Sequence, residues 1–241
     1  MDFNSKTIVQ DRINSLIDDA MIAERGRQKS RNYLGASILG SECVRSLQYE
    51  FFHAPKDKDF SAQTLRRFER GHWAEKFMIK LFKNAGFDLQ VEQSPGKQFG
   101  FSLLDNRVAG HADGIFHGGD DCLKYPALWE NKCLDSKGVS KLKKDRLKKA
   151  YPNYFSQVML YAAYLNLTEN PIIFTALNAD TMEIHIELVP FDPQEAQSVS
   201  DRAVVIIKAC DDGILLPRLS EDPEFFVCKF CSYNIRCWRE L

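Results

Sequence analysis

The sequence predicts a mixed α/β fold, in which a β-sheet is covered by helices. Apolar residues recur at helical spacing in three long segments, at residues 4–25, 61–84 and 193–210. Between these segments, short apolar or alternating runs are bounded by glycine, proline and asparagine, which is typical of strands. The resulting order is helix, strand meander, helix, strand pair and helix, and no internal repeat divides the chain.

The individual elements follow from local signals. The helix at 61–84 closes at Asn84-Ala85-Gly86, and a short helix around 43–52 ends before Pro55. A further helix is predicted at 153–167. Strands are predicted at 87–93, 98–104, 107–117, 128–133, 171–178 and 182–189. On the first helix, five residues approximate one apolar face: Ile8, Ile13, Leu16, Ile17 and Ala20. We divide the chain into an N-terminal helical segment (1–60), a central core (61–190) and a C-terminal helix with a cysteine-rich segment (191–241).

Composition excludes several classes of protein. With 44% hydrophobic and 27% charged residues, the chain is an ordinary globular sequence, which excludes disordered, collagen-like and purely coiled-coil proteins. No apolar stretch approaches the ~20 residues of a membrane span. Because the first ten residues lack the features of a secretory signal, we expect a cytoplasmic protein. A net charge of −1 does not exclude a nucleic-acid partner, since the distribution of positive charge decides that.

Two acidic segments suggest a site for a divalent cation. On a strand, residues two apart face the same side, so Glu130 and Lys132 project together after the apolar residues 127–129. Taken alone, such a pair is usually a solvated surface pair. Asp113 lies among apolar residues on the preceding predicted strand. Two neighbouring strands can bring Asp113 and Glu130 to one point, and carboxylate oxygens are the ligands that Mg²⁺ prefers.

The predicted helices on either side add further polar residues. The long helix carries Glu75, four residues after Gly71, and the helix at 153–167 carries Gln157 and Tyr161. Because Gln157 and Tyr161 are four residues apart, they share one face of their helix.

These four motifs, in this order, resemble the PD-(D/E)XK nucleases of the RecB-like branch. The resemblance implies a restriction-endonuclease-like mixed sheet flanked by helices. It also implies that Glu75, Asp113 and Glu130 bind Mg²⁺ or Mn²⁺, that Lys132 is the catalytic lysine, and that Gln157 and Tyr161 complete the site. Many RecB-like members have histidine where this chain has Glu75, a departure that resembles the phage exonuclease branch. Bound cations lower the pKa of water and stabilise the charge that develops on a phosphodiester.

The seven cysteines predict a second metal site. Cys228, Cys231 and Cys237 form a C-x2-C-x5-C pattern, and a pair two residues apart can bind one metal centre. Three thiolates need a fourth ligand. The candidates are Cys43, Cys122, Cys133 and Cys210.

This pattern resembles the iron–sulfur RecB-like nucleases, which include a CRISPR-associated group. In that family, one N-terminal cysteine and the C-terminal trio hold a [4Fe–4S] cluster, which implies Cys43 as the fourth ligand here. Two alternatives remain open: a structural Zn²⁺ on the same four thiolates, and buried thiols that bind no metal. The termini then form a small cysteine-ligated subdomain, and the three remaining cysteines are expected as packed thiols.

A lysine-rich segment at 137–149 lies between the two halves of the nuclease pattern. Charge alone is equally consistent with a solvated helix face. Because the segment begins and ends near the predicted active site, we expect it to contact phosphates. The residues predicted to bind DNA are Arg70, Lys141, Lys143, Lys144, Arg146 and Lys148.

The sequence therefore predicts a metal-dependent DNA nuclease. The resemblance favours an exonuclease on single-stranded or end-frayed DNA, in recombination, repair or CRISPR adaptation. Two alternatives remain open: a structure-specific endonuclease, and a non-catalytic subunit that binds DNA ends. An oligomer, or partner proteins in recombination or adaptation, is compatible with each of these functions.

Overall fold

The computed structural model describes residues 4–28 and 30–239, with side chains from Ile8 onward. Residues 1–3, Lys29 and residues 240–241, which belong to the outer predicted segments, lie outside the described residues. The helices are α1 (Asn4–Arg27), α2 (Ala36–Leu39), α3 (Val44–Phe51), α4 (Ala62–Asn84), α5 (Ser136–Ala150), α6 (Pro152–Tyr164), α7 (Pro193–Asp211), α8 (Phe226–Lys229) and α9 (Asn234–Arg239). The strands are β1 (Leu34–Gly35), β2 (Asp88–Gln90), β3 (Glu92–Ser94), β4 (Lys97–Gln98), β5 (Gly100–Leu103), β6 (Val108–His111), β7 (Gly114–Gly118), β8 (Ala127–Leu134), β9 (Ile172–Asn178) and β10 (Ile184–Val189).

The main sheet has the strand order β10-β9-β8-β7-β2. The central strands β8 and β9 are parallel, with Trp129 opposite Ile173, and the other pairs are antiparallel. Parallel neighbours need a long crossover, and α5 and α6 provide it here. The predicted mixed sheet flanked by helices is confirmed.

The strand predicted at residues 107–117 is two strands, so that prediction was wrong. β6 pairs with β1 and β5 in a separate three-stranded sheet, whereas β7 belongs to the main sheet. The chain bends between them at Ala112 and Asp113. Just before the bend, Gly110 passes close to Tyr161, and a Cβ on Gly110 would lie 2.5 Å from the tyrosine ring. An apolar run predicts extended chain, but it does not predict where the strand changes partners.

Apolar side chains cover both faces of the main sheet. On one face, Phe116, Trp129 and Ile173 pack beneath Ala74 and Met78 of α4. On the other face, β9 and α5–α7 form a larger cluster, which also includes Leu34 and Leu39 near the N-terminus. Burying a large apolar side chain contributes about 1.5–3 kcal/mol, so this double cover holds the strands in place. Residues from all three predicted segments share the larger cluster, and the division into segments stays a prediction.

The apolar face of α1 is not covered by the part of the chain that the structure describes. Ile8, Ile13, Leu16 and Ile17 are 50–67% exposed. An ion pair between Asp18 and Arg66 attaches α1 to α4. Helical periodicity predicted the helix but could not predict what packs against it. Within the described residues, no helix is both long enough and apolar enough to cross a lipid bilayer.

Candidate active site

Glu130 and Lys132 lie on β8, two residues apart, and face the same side of the sheet as predicted. Glu130 is only 1% exposed. Lys132 is largely buried, and its Nζ contacts Glu130 Oε1 and lies 4.9 Å from the centre of the Tyr154 ring. A buried carboxylate is costly unless it is paired or bound to a cation. The lysine supplies one partner, directly beside the acid.

Asp113 reaches the same place from the bend between β6 and β7. Its Oδ2 accepts a hydrogen bond of 2.8 Å from the backbone N–H of Asn131, the residue between Glu130 and Lys132. This bond ties the bend to the middle of β8. The structure therefore places Asp113 beside the pair on β8, although Asp113 lies outside a strand.

Glu75 comes from the opposite direction, on α4. Ser61 begins this helix, where its Oγ accepts a hydrogen bond from the Thr64 N–H, as expected of an N-cap. Ala74 is fully buried against the sheet, which fixes the rotation of the helix and leaves Glu75 half-buried. Burial and the negative charge of Asp113 raise the pKa of Glu75 to about 7. Three carboxylates from α4, the β6–β7 bend and β8 thus interact within one site.

Gln157 and Tyr161 of α6 complete the predicted set. Gln157 Nε2 donates hydrogen bonds to Glu130 Oε1, at 3.0 Å, and to the Tyr161 hydroxyl, at 2.9 Å. Both side chains are buried, and burial raises the pKa of Tyr161. The six predicted catalytic residues therefore come together, and Gln157 fixes the orientation of Glu130.

The site holds more negative charge than Lys132 balances. Burial and the charge of Asp113 raise the pKa of Glu130 to about 8, and burial raises the pKa of Asp113. Burial alone would lower the pKa of Lys132, but the charges of Glu130 and Asp113 outweigh it and the pKa is raised. Lys132 supplies one positive charge beside three carboxylates. A further cation would therefore lower the electrostatic repulsion among the carboxylates.

The donor set fits a divalent cation such as Mg²⁺ or Mn²⁺. Glu130 Oε2 is buried and finds no hydrogen-bond partner among the described residues, so one lone-pair face is free for a metal. Carboxylate oxygens are the ligands that hard cations prefer. As the side chains stand, no three His, Cys, Asp or Glu residues in the described chain converge tightly enough to hold an ion.

Without a cation, we expect the stability of the protein to fall as the pH rises. The pKa values of Glu75 and Glu130 are raised to about 7 and about 8, from an ordinary value of 4.5. The folded state therefore binds protons that the unfolded chain has released. This contribution is complete below pH 4.5 and is lost as the pH rises through the folded pKa values. Thermal unfolding in EDTA from about pH 5 to about pH 9 measures it.

Two comparisons make this prediction specific. Mg²⁺ or Mn²⁺ should restore stability mainly at the alkaline end, because the cation replaces the lost protons. Glu130→Gln should flatten the pH dependence, because the amide does not titrate. A midpoint of unfolding that rises with pH in EDTA would contradict the predicted direction.

The four cysteines predicted as metal ligands line one cavity of about 380 Å³. Burial is the main cause that raises the pKa of Cys228 and of Cys231. The neighbouring cysteines, including Cys43, raise both pKa values further. The shared cavity places Cys43 with the C-terminal trio, although the thiols do not converge tightly enough in the described chain to hold an ion as they stand. The cysteines that share the cavity are Cys43, Cys228, Cys231 and Cys237.

Polar groups that sequence reasoning missed hold the backbone around these cysteines. Arg218 donates two hydrogen bonds to the Cys237 carbonyl, at 2.6 and 3.2 Å, and its guanidinium lies 4.5 Å from the Trp238 ring centre. Asn234 Nδ2 donates to the Cys228 carbonyl at 2.9 Å. Nothing in the spacing of these residues indicated such a role, because the contacts form only after the C-terminal segment folds back.

The other three cysteines differ in their surroundings. Cys210 is buried beside Gln48, and Cys133 is half-buried near Arg70, in keeping with packed thiols. Cys122 is exposed in the turn after Asp120, so the expectation of a packed thiol was wrong there. Cysteine composition predicts burial on average, but a turn next to aspartates lies at the surface.

The lysine-rich segment forms α5, which is broken at Arg146. Arg146 has a positive φ of 62°, and the following Leu147 N–H donates to the buried Glu187 carboxylate instead of to its own helix. Arg146 also pairs with Glu187, Lys143 with Glu183 and Lys148 with Asp192. Three of the six cations predicted to bind DNA thus already have acidic partners. Their role in DNA binding stays a prediction.

We expect Lys141 and Lys144 to contribute more to DNA binding than Lys143 and Lys148. Lys144 makes no ion pair with a described residue, and Lys141 Nζ lies 5.1 Å from the Tyr151 ring centre. Lys141→Ala with Lys144→Ala should lower the slope of log affinity against log salt by about 1.4, or ~0.7 for each lost phosphate contact on single strands. The matched pair, Lys143→Ala with Lys148→Ala, should change it less. Equal slopes for the two double variants would mean that these ion pairs do not restrict phosphate binding.

Two further residues at the site were not predicted. Burial raises the pKa of Asp113, and His72 of α4 is one of the neighbouring groups that oppose this rise. Asn131 links β8 to the β6–β7 bend and to β9, since its N–H donates to Asp113 and its Oδ1 accepts from Thr175 at 2.8 Å. Both residues lie inside the motifs, so a search of the positions between motif residues could have found them.

Comparison with solved structures finds similar folds. An alkaline exonuclease (LHK-Exo) from Laribacter hongkongensis matches with a TM-score of 0.52 and 12% identity, over 76% of this chain and 90% of that one. The structure of LHK-Exo in complex with dAMP gives 0.51, with the same identity and coverage. A protein designated SSO0001 matches with a TM-score of 0.50 and 17% identity, over 97% of this chain and 99% of that one. The sequence matches no known protein family and no curated protein. The chain therefore shares the fold of an alkaline exonuclease.

Proposed function

We propose that this protein is a metal-dependent nuclease that hydrolyses phosphodiester bonds in DNA. The observation that carries the proposal is the meeting of Glu75, Asp113 and Glu130 around Lys132, with one buried oxygen of Glu130 left without a partner among the described residues. An ion pair that served only stability would not need two further acids beside it. The likeness in fold to an exonuclease supports the same conclusion.

Each residue of the site would have a separate role in hydrolysis. A divalent cation held by the three carboxylates would supply a water of lowered pKa and positive charge for the phosphate. Lys132 places an ammonium where negative charge develops on the phosphate during attack. Gln157 holds Glu130 through its amide and keeps the carboxylate in one orientation. Tyr161 fixes that amide in turn.

An exonuclease on single-stranded or end-frayed DNA is the form of the activity that we favour, in recombination, repair or CRISPR adaptation. The support is the fold of the neighbour LHK-Exo, which is described as an alkaline exonuclease and has been crystallised with dAMP. Such settings supply free DNA ends and partner proteins. A structure-specific endonuclease and a non-catalytic end-binding subunit are the alternatives.

One assay separates these functions. The protein is incubated with end-labelled linear DNA and with circular DNA, single- and double-stranded, in Mg²⁺, Mn²⁺ or EDTA. Release of mononucleotides from linear DNA alone supports the exonuclease, and cutting of circles supports the endonuclease. Binding of ends with no cleavage in either metal would support the non-catalytic subunit. Activity that persists in EDTA would contradict metal dependence.

We also propose that Cys43, Cys228, Cys231 and Cys237 bind a [4Fe–4S] cluster, with a structural Zn²⁺ as the alternative. Their common cavity and the hydrogen bonds that hold Cys228 and Cys237 support a built site. Thiolates are suitable ligands for both. The cluster would join segments near the two ends of the chain rather than take part in hydrolysis.

A further inference from the structure

Two exposed phenylalanines lie beside the face of α4 that carries Glu75. Phe60 is 38% exposed and Phe68 is 44% exposed, and their ring centres lie 5.2 Å apart at an angle of 84°. Phe68 precedes Glu75 by seven residues, two helical turns, so both project from the same side of α4 about 10 Å apart. Both rings are therefore outside the core. Phe68 lies on the side of α4 that carries Glu75, and Phe60 lies between Phe68 and the cavity of the four cysteines, which it also lines.

The surface between Phe68 and Glu75 is open. At Gly71, one turn before Glu75, a Cβ would have no atom within 4 Å beyond its chain neighbours and the backbone of its own helix. His72 is exposed and lies four residues after Phe68 and three before Glu75, so it belongs to the same side of α4. Phe68, His72 and Glu75 therefore follow one another along one side of α4, and Gly71 adds no side chain between them.

The charges along this surface favour a polyanion. Arg67, next to Phe68, is exposed and makes no ion pair with a described residue, although the exposed Glu69 follows Phe68 directly. Lys56 lies 5.0 Å from the Phe60 ring centre, although it is shared with Glu50 at 3.0 Å. Cations that alternate with exposed rings match a nucleic-acid strand, in which phosphates alternate with flat bases. Binding of a purely apolar protein partner would not require cations beside the rings.

We infer that Phe60, Phe68 and His72 form a stacking track, which binds the bases of a single DNA strand next to the catalytic site. This inference rests on the proposed nuclease function and specifies its substrate. Bases in a duplex are stacked on each other and cannot lie against protein rings, so the track selects strands that are already single or frayed. The stacking track is defined here by these three residues alone.

The test compares strands with and without bases. Affinities are measured in EDTA, to prevent cleavage, for a 20-nucleotide thymidine strand and for an abasic strand of about the same length. Phe68→Leu keeps the apolar bulk but removes the ring, so binding of the thymidine strand should weaken by about tenfold. Binding of the abasic strand should not change, and Phe68→Trp should retain the preference for bases.

Trp73→Leu is the matched control. Trp73 is 52% exposed on the same helix, but it lies two residues before Glu75, on the opposite side, stacked on Phe77. Trp73→Leu should leave the affinities for the thymidine strand and the abasic strand unchanged. If Phe68→Leu binds both strands as the wild type does, the inference is overturned. It is also overturned if sedimentation shows that Phe68→Leu only dissociates an oligomer.

Failure of the stacking track can be distinguished from failure of the proposed nuclease function. If the wild-type protein cleaves DNA and Phe68→Leu binds both strands normally, the stacking track is refuted and the nuclease function is supported. If the wild-type protein prefers strands with bases and Phe68→Leu loses that preference, but DNA is never cleaved in Mg²⁺ or Mn²⁺, the stacking track is supported and the nuclease function is refuted.

Discussion

Glu130→Gln should lower the rate of DNA cleavage by about 10²-fold or more, an effect as large as any expected from a substitution here. The change removes a charge that holds the cation but preserves the shape of the side chain. Because the pKa of Glu130 is raised to about 8, the folded protein already favours a neutral group at this position. The variant should therefore fold, and its lost activity should not reflect unfolding.

Two other substitutions at the site test the same chemistry. Lys132→Ala and Asp113→Ala should each lower cleavage by about 10²-fold or more, because both charges act on the reacting phosphate or on the cation. The carboxylate variants should also lose the rise in thermal midpoint that Mg²⁺ or Mn²⁺ produces, whereas Lys132→Ala should keep part of it. Arg107→Ala, at a cation that is paired with Asp211 and belongs to neither the predicted catalytic nor the predicted DNA-binding residues, is the control. Wild-type cleavage by purified Glu130→Gln would rule out the assigned site.

Changing Cys231 to serine should remove the metal of the second site, which is the next largest expected effect. Protein purified without oxygen should be brown and contain about four irons per chain if the cluster is present. Cys231→Ser should be colourless and less stable to heat, because ligation joins residues about two hundred positions apart in the chain. Iron content, zinc content, visible absorption and thermal unfolding are the measurements.

The remaining cysteines supply the controls. Cys210 is buried beside Gln48, away from the cavity, so Cys210→Ser should keep both colour and iron. Cys43→Ser should behave as Cys231→Ser does, since both thiols line the cavity. A colourless anaerobic wild type with one zinc per chain would replace the cluster with zinc and keep the four ligands. A wild type with neither metal would contradict both assignments.

Local signals predicted most of the elements because they depend on neighbours in the sequence. The helix predicted at 61–84 is observed at Ala62–Asn84, and the strand predicted at 128–133 is observed at Ala127–Leu134. Glu130 and Lys132 share a face because alternation along a strand is a property of the strand itself. The same reasoning failed at 107–117, where the chain leaves one sheet and enters another. An apolar run does not reveal which strand will be its partner.

The sequence by itself determined which residues could form a site: the acidic motifs with their lysine, the cysteine trio and the cationic segment. Tertiary structure alone decided that Asp113 binds the backbone of Asn131, that Glu130 keeps an oxygen without a donor in the described chain, and that Lys143 is already paired. It also placed Cys43 in the cavity with Cys231. Periodicity reports contacts a few residues apart, whereas burial and charge depend on elements that meet only when the chain folds. Those long-range contacts set the pKa values and the free ligand positions on which the proposed chemistry depends.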